Sequence, residues 1–557
     1  MLFRAQSSNP LERQSVREAF GTHVLFGFEI TETDQNKFLV DMTDFLLQDT
    51  HQVAQTLSQK KQGNFKLDKS KSVIWMERTK AFPLNVEFEA VLTFEGQPTG
   101  RALKSVWEGT DLSTIQHHSF VALPDDQYEM RAFDPRCGAF PMTFYDYATP
   151  LDQPLKQQFI TRHRLQKKFP DQAMSPAVEP IIYYLDPGTP EPVRSALLEG
   201  ANWWNQAFAA LGYEDAFQVA LLPEGADPLD ARYNVIQWVH RSTRGWSYGA
   251  SITDPRTGEI IKGHVSLGSL RVRQDFLIAQ GLSLDPFAQD QIDPAMQELA
   301  LARLRQLSAH EVGHTLGFAH NFAASAYGKV SVMDYPHPQL SLKDGTIDYS
   351  KAYEAGIGLW DKISVAYSYG DIPQGTEQTD YLSALLDKAF SQDLLFITDS
   401  DARAASGSHA QAHLWDNASN AAQGLEEIMS VRTVAINQFS LNQIPKGQPH
   451  SVLEDVFVPI YYLHRYQTEA AVKMLGGQHY DYSINRACRL LAADPSEAEG
   501  PLYMAARVKP IGVICIPLGD VKIDRTISID VSSLPVDSDL VIAVVERLHP
   551  VVINLQV

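Results

Sequence analysis

Apolar and polar side chains alternate with a period of two between residues 86 and 94 of the chain. Such alternation is typical of a β-strand with one apolar face, because successive strand side chains point to opposite sides. The apolar positions are Val86, Phe88, Ala90, Leu92 and Phe94. Weaker patterns predict strands at residues 25–30 and 38–42, and together they favour a β-rich N-terminal domain over residues 1–165.

Short apolar runs separated by turn sequences follow a proline-rich and charged segment between residues 150 and 180, which favours a domain boundary there. The runs predict a helix at residues 192–211 and strands at residues 181–185, 217–222, 233–239, 246–253 and 259–267. Beyond residue 375 the patterns predict mostly helix, for example at residues 421–439 and 452–475. A strand-like pattern returns at residues 523–531.

The spacing of apolar residues changes to three and four after Asp293-Pro294, which is a typical helix start. The apolar stripe of this predicted helix runs directly into a group of polar residues. The residues at these spacings, first the apolar stripe and then the polar group, are Met296, Leu299, Ala300, Leu304, Leu307, His310, Glu311 and His314.

The stretch from His310 to His320 reads H-E-V-G-H-T-L-G-F-A-H. Residues four apart share a helix face, so His310 and His314 are expected to bind one zinc ion at about 2.0–2.1 Å. Gly317 is predicted to end the helix in a left-handed turn that returns His320 as the third ligand. Glu311 is then the candidate base for a zinc-bound water, whose pKa falls toward about 7. A buried helix with surplus histidines is the structural alternative.

This spacing, followed by Ser331-Val332-Met333-Asp334-Tyr335, resembles the signature of the metzincin proteases. The resemblance implies that Met333 forms a methionine turn beneath the three histidines, where an ordinary core methionine is the alternative. It also implies that Tyr335 contacts the zinc or the reaction's oxyanion, although a packing role for Tyr335 is equally open.

Longer stretches resemble a bacterial family of large zinc-dependent metzincin proteases, among them NPLERQSVREAFG, SVMDYPHP, GIGLWDKISVAYSYG and HRYQTEAAVKMLGG. The resemblance implies an α+β multidomain protein. Its β-rich N-terminal domain precedes a catalytic domain at 176–372, which has a twisted, mostly parallel sheet, an active-site helix and a methionine turn. A helical domain at 373–486 and an atypical strand-like tail at 487–557 follow. An edge strand near residues 246–251 would pair with an extended substrate.

Composition limits the classes of binding partner and the cellular locations that fit this chain. The formal net charge of -20 argues against nucleic acid, because phosphates would be repelled. The three cysteines, Cys137, Cys488 and Cys515, provide neither a disulfide framework nor a Cys-type zinc site. No apolar run is long enough to predict a membrane span, and no signal peptide opens the chain. The resemblance nevertheless implies a periplasmic or extracellular protein, so we expect a chain truncated at its N-terminus.

The resulting hypothesis is a zinc metalloendopeptidase that hydrolyses internal peptide bonds of protein or peptide substrates. Two alternatives stay open: a catalytically silent zinc-retaining binding or surface protein, and a latent protease blocked by its N-terminal domain. Asp399-Ser400-Asp401 is interpreted as a helix cap, with weak calcium binding as the alternative. His409 and His413 form a weak candidate for a second metal site, and the oligomeric state is left undetermined.

Overall fold

The structure is a computed structural model that describes residues 3–21, 23–241, 246–288, 291–404, 406–482 and 484. It also gives the backbone of four short strands: β20 (Lys509–Pro510), β21 (Ile523–Asp524), β22 (Thr526–Asp530) and β23 (Ile553–Gln556). Apart from those strands, the predicted tail at 487–557 lies outside the described residues.

The N-terminal part is rich in strands. Antiparallel pairing of β4, β5 and β7 with the long strand β6 forms its main sheet. The elements are β1 (Phe3–Arg4), α1 (Pro10–Ala19), β2 (Ile30–Asp34), β3 (Lys37–Val40), α2 (Thr43–Leu46), α3 (Val53–Gln59), β4 (Gly63–Ile74), β5 (Lys80–Ala81), β6 (Asn85–Pro98), α4 (Arg101–Lys104), β7 (Asp111–Val121), β8 (Pro141–Asp146) and β9 (Lys156–Ile160). The strand predicted at 25–30 is wrong: Leu25 is exposed, and β2 begins only at Ile30.

Strand β6 buries different faces along its length. Its second half buries Leu92 and Phe94 in the N-terminal core, as the alternation predicts. In its first half Val86 is 36% exposed and Glu87 only 2% exposed. The polar face turns inward there because Asn85 bonds to the backbone of the following domain, through Leu229 O at 2.9 Å and Ala231 N at 2.9 Å. The expectation of one continuous apolar face is therefore wrong at the start of β6.

The central part holds a five-stranded sheet in the order β13-β11-β14-β16-β15, within the described residues. All neighbours are parallel except β15, an edge strand antiparallel to β16, so the prediction of a mostly parallel sheet is confirmed. The elements are β10 (Ser175–Pro176), β11 (Ile181–Leu185), α5 (Val193–Asn202), α6 (Asn205–Ala210), β12 (Tyr213–Glu214), β13 (Phe217–Leu221), β14 (Asn234–Val239), β15 (Tyr248–Thr253), β16 (Ile260–Gly268), α7 (Ser269–Leu282), α8 (Pro294–Thr315), β17 (Ser341–Lys343), β18 (Thr346–Asp348) and α9 (Leu359–Tyr369).

The single helix predicted at 192–211 is two helices, α5 and α6, that meet at Trp203 and Trp204. Both rings are buried. Both residues keep right-handed helical dihedrals, and the tighter bonds from Trp203 N to Gly200 O at 3.2 Å and from Gln206 N to Trp203 O at 3.0 Å interrupt the regular α-helix there. Helices α5 and α8 pack against each other and share one core with the sheet.

The C-terminal part is helical, as predicted. The elements are α10 (Gln378–Phe390), α11 (Asp399–Ala402), α12 (Ala421–Gln438), α13 (Val452–Tyr461), α14 (Arg465–Lys473) and the short strand β19 (Gln478–His479). The helix predicted at 452–475 is interrupted between α13 and α14. Of the helices in the described part, none has both the length and the apolar character needed to cross a bilayer.

Candidate metal centre

Helix α8 carries the first two candidate ligands into the core. Its N-cap is Asp293, whose side chain accepts a hydrogen bond from the backbone N–H of Ala295 at 2.9 Å, and Pro294 is its first residue. Near the other end of the helix His310 is 1% exposed and Glu311 3% exposed. These two polar side chains are thus held on a fully packed helix, where their rotamers have little freedom.

The last residue of the helix is Thr315, and the chain leaves it in a left-handed turn at Gly317, which has a φ of +101°. The Gly317 N–H donates to His314 O at 3.1 Å, and the Phe318 N–H donates to Gly313 O at 3.0 Å. This pair of bonds is the Schellman ending that a left-handed glycine permits. A Cβ atom at Gly317 would also lie 2.1 Å from Thr161 O, so the turn has no room for a side chain.

Each candidate histidine has its Nδ1 atom directed at an oxygen acceptor. His310 Nδ1 lies 2.8 Å from Val332 O, and His314 Nδ1 lies 2.8 Å from Phe318 O. A carbonyl oxygen only accepts hydrogen bonds, so both Nδ1 atoms carry the proton. Burial lowers the pKa of both rings, that of His314 to about 4, which keeps them neutral with a lone pair on Nε2.

The third ring is oriented by a carboxylate. His320 Nδ1 donates to Asp399 Oδ2 at 2.7 Å, and Arg403 Nη1 donates to Asp399 Oδ1 at 3.1 Å. Although burial opposes ionisation of Asp399, the bonds from His320 and Arg403 hold its pKa below the usual value. Asp399 therefore remains an acceptor, and the Nε2 atom of His320 is also free to act as a ligand.

The three rings fit a metal ion. Their candidate ligand atoms all lie within 4.8 Å of one another. His314 Nε2 and His320 Nε2 are 3.1 Å apart, and two nitrogens on one tetrahedral zinc ion are separated by roughly 3.3 Å. His310 Nε2 is buried and has no hydrogen-bond partner among the described residues. Converging lone pairs and a buried nitrogen without a partner are the features that a bound cation would satisfy.

Met333 lies directly behind the histidine helix. It is 2% exposed, and a Cβ atom on Gly313 would lie 2.3 Å from its sulfur atom. The turn that carries it is held by Asp361, which accepts hydrogen bonds from Ser331 Oγ at 2.6 Å and from Val332 N at 2.9 Å. Gly313 thus allows the methionine to approach the helix between the two histidines.

Tyr335 lies beside the histidines. The centroid of its ring is 4.9 Å from that of His310 and 4.7 Å from that of His320. Burial raises the pKa of its phenol to about 12, so the hydroxyl is protonated at neutral pH. A contact between this hydroxyl and a metal stays a prediction.

Glu311 lies against the edge strand β15. A Cβ atom on Gly249 of β15 would be 2.1 Å from the backbone oxygen of Glu311, so this glycine allows strand and helix to meet. Burial raises the pKa of Glu311 to about 8, while Arg303 and the Gly249 N–H oppose that rise. Burial thus disfavours the charged form of this carboxyl group.

No sequence pattern predicted the role of Asp399. Asp399 is the first residue of α11, whose N-cap is Thr398, so the interpretation of Asp399-Ser400-Asp401 as a helix cap is wrong. Asp401 accepts hydrogen bonds from the hydroxyls of Tyr480 and Tyr482, each at 2.6 Å. The only signal for Asp399 was an acidic pair in a loop, since its partner His320 is 79 residues away. Calcium binding there stays a prediction.

A segment of the N-terminal part also reaches the centre and was not predicted. Gly138 O accepts from Ala319 N at 2.9 Å, and Phe140 N donates to Gly317 O at 2.8 Å. The ring of Phe140 lies 5.8 Å from that of His314, with Phe140 39% exposed. The N-terminal part thus adds a short antiparallel bridge to the loop between the second and third histidines.

The other sequence candidates lie elsewhere. His409 Nε2 is 2.9 Å from Tyr480 O, and His413 Nε2 is 3.6 Å from Glu469 Oε2. Neither is helical. Across the described residues, the one cluster of potential metal ligands consists of His310, His314 and His320. Cys137 of the N-terminal part is fully buried and lies outside that cluster.

Comparisons with known proteins agree with this geometry. Residues 292–495 match the family model described as Met-zincin, and residues 2–168 match a model described as a domain of unknown function, DUF5117. A search of curated proteins and a search of solved structures each returned no match. The Met-zincin match spans the three histidines, Met333 and Asp399.

Proposed function

Because the chain carries a Met-zincin domain preceded by a DUF5117 domain, we propose that it is a zinc-dependent metalloendopeptidase. His310, His314 and His320 would hold the metal. The observation that carries the proposal is the convergence of their ring nitrogens within 4.8 Å, supported by three Nδ1 atoms that each face an oxygen acceptor.

A zinc ion bound there would supply a Lewis acid for the scissile carbonyl and would lower the pKa of water. Glu311 accepts the proton of the attacking water and delivers it to the leaving amine nitrogen. Its position on α8, next to His310 and 3% exposed, suits a group that takes up a proton and returns it. Tyr335, whose phenol keeps its proton, donates a hydrogen bond to the oxyanion.

Strand β15 would bind the substrate. It pairs with β16 on one side only and ends the sheet within the described residues. The backbone of an extended peptide can add to such an edge as a further strand. Glu311 lies directly against β15 at Gly249, so a peptide on this edge passes the carboxylate and the histidines. This arrangement favours cleavage within a chain. On the family resemblance, we also propose a periplasmic or extracellular place of action.

The two alternatives make different predictions. A silent zinc-binding protein has no need for a buried carboxylate beside the metal ligands, and Glu311, 3% exposed, is such a group. A latent protease requires an N-terminal part that leaves when cleaved. Here Gly138 and Phe140 hydrogen-bond to the loop that carries His320, which favours a permanent support. Activity that appears only after deletion of residues 1–165 would favour latency.

The proposal is tested by metal analysis together with cleavage of casein and of a peptide library, with Glu311→Gln as the matched control. We expect one zinc ion bound in both forms and cleavage at internal bonds by the wild-type protein. Loss of the general base should lower the rate roughly a hundredfold or more. Equal cleavage by both forms, or a wild-type protein that binds no zinc, would contradict the proposal.

A further inference from the structure

Three stacked aromatic rings lead away from the histidines. Tyr335 is the first, and the centroid of the Trp415 ring lies 6.4 Å from that of Tyr335 at an angle of 10°. Tyr466 lies 6.0 Å beyond Trp415 at 24°. We call Tyr335, Trp415 and Tyr466 the aromatic ladder. All three residues are partly exposed. The ladder joins the centre to helix α14 of the helical part.

Trp415 is fixed in the middle of the ladder. Its φ of +61° is in the left-handed region, which a bulky side chain rarely adopts. The backbone N–H of Trp415 donates to Tyr335 O at 2.8 Å, and the backbone carbonyl of Trp415 accepts from Gln467 Nε2 at 2.7 Å. Strained backbone of this kind persists where the surroundings require it, often at ligand sites.

Two guanidinium groups lie against the Trp415 ring. The Cζ atom of Arg271, from α7, is 5.5 Å from the ring centroid, and that of Arg303, from α8, is 5.6 Å from it. Arg303 precedes Glu311 by eight residues on α8, which places it about 12 Å along the helix from the catalytic carboxylate. The pair therefore lies a few substrate residues from the centre.

The two guanidinium groups differ in their ion pairing. Arg271 Nη2 bonds to Asp275 Oδ1 at 3.0 Å, but Arg303 has no carboxylate within 4.0 Å among the described residues. Arg303 is 2% exposed, and the Nε atoms of both arginines are buried without a hydrogen-bond partner in that part of the chain. Buried cations are costly unless an anion pairs with them. The carboxylates of Asp275 and Glu311 stabilise the charge of Arg303 from beyond ion-pairing distance.

We propose that Arg271 and Arg303, presented on the face of Trp415, form a subsite for a carboxylate of the peptide substrate. This inference rests on the proposed protease function. Arg271, with a side chain 17% exposed, makes the direct contact, and buried Arg303 adds a second positive charge that has no ion pair within 4.0 Å in the described part of the chain. A guanidinium group binds a carboxylate with two parallel hydrogen bonds, and a stacked ring holds its plane.

The carboxylate has two possible sources, and strand direction places both on the C-terminal side of the scissile bond. Tyr248, at the start of β15, pairs with Ser266 near the end of β16, and α7 begins three residues after Ser266. A peptide added antiparallel to β15 would therefore direct its C-terminal end toward Arg271. A strand advances about 3.3 Å per residue, so a free C-terminus would reach the subsite roughly three residues beyond the scissile bond. The other source is an Asp or Glu side chain of the substrate.

The test measures peptide binding without cleavage. The full-length Glu311→Gln protein, loaded with zinc, is titrated against a randomised, fluorescein-labelled peptide library in three forms. One form ends in a carboxylate and lacks Asp and Glu, the second ends in a carboxamide and contains them, and the third ends in a carboxamide and lacks them. Arg271→Gln is added to this background, and Arg273→Gln, two residues away on α7 and exposed, is the matched control.

We expect the first or the second form, each of which carries a carboxylate, to bind about tenfold more tightly than the third, as befits a charge-assisted hydrogen bond. Tight binding by the first form would identify the C-terminal carboxylate as the ligand. This preference should vanish in Arg271→Gln and persist in Arg273→Gln. Tight binding by the second form instead would identify a side-chain carboxylate as the ligand. Equal binding of all three forms, or a preference unchanged by Arg271→Gln, overturns the inference. A wild-type protein that cleaves nothing while this preference persists would overturn the protease proposal alone.

Discussion

His320 Nδ1 donates a hydrogen bond to Asp399 Oδ2 at 2.7 Å, so a carboxylate of the helical part orients the last histidine of the centre. Such partners fix the ring and raise its basicity as a ligand. Asp399→Asn keeps the shape of the side chain but removes its charge. We expect zinc affinity to fall about 10–100-fold, measured by competition with a chromophoric chelator. Asp393→Asn, at an exposed position in the preceding turn, should leave the affinity unchanged. Equal affinity of the Asp399 variant and the wild type would show that this bond does not support the metal.

Gly317 is constrained twice, by its left-handed backbone and by its contact with Thr161. Gly317→Ala would place a Cβ atom 2.1 Å from Thr161 O at a φ of +101°. We expect a loss of about 2–4 kcal/mol in the free energy of unfolding, measured by urea denaturation, together with loss of bound zinc. Gly345→Ala is the control, because its φ is +80° and nothing lies within 4 Å of the added atom. Equal losses of unfolding free energy in both variants would mean that the contact with Thr161 does not contribute and that backbone strain accounts for the whole effect.

The bridge between Phe140 and Gly317 is expected to support the metal loop. Phe140→Pro removes the N–H that donates to Gly317 O, whereas Phe140→Ala removes the ring and keeps the N–H. We therefore expect the proline variant to lose zinc at a lower chelator concentration than the alanine variant, with dialysis against a chelator as the measurement. Identical zinc retention in the two variants would exclude a supporting role for this bond.

The buried carboxyl group of Asp416 is expected to make the free energy of unfolding depend on pH. Burial raises the pKa of its carboxyl group to about 7, whereas an unfolded aspartate titrates near 3.9. Between these values the folded protein binds the proton and the unfolded chain does not, so stability should increase as the pH falls from 8 toward 5. The gain is of the order of 1–4 kcal/mol. In Asp416→Asn the slope of unfolding free energy against pH should flatten, and a slope equal to that of the wild type would contradict this assignment.

The candidate centre was accessible from the sequence because its parts are close along the chain. The four-residue spacing of His310 and His314 places both rings on one face of a helix, and Asp293 marks where that helix begins. The apolar run at 181–185 likewise predicted β11 with its bounds. For residues this close along the chain, the regular geometry of a helix or strand alone determines where their side chains lie relative to one another.

The tertiary structure decided the contacts between residues that are far apart in sequence. Asp399 bonds to His320 across 79 residues of sequence. Asn85 bonds to Leu229 across 144 residues, and this bond holds the polar face of β6 inward. Trp415 lies beside Arg271 and Arg303 only after the helical part has folded against α7 and α8. No local periodicity encodes such pairs, because they depend on how packed elements meet. The sequence therefore determined the candidate ligands, whereas the fold determined what orients them and what surrounds the cleft.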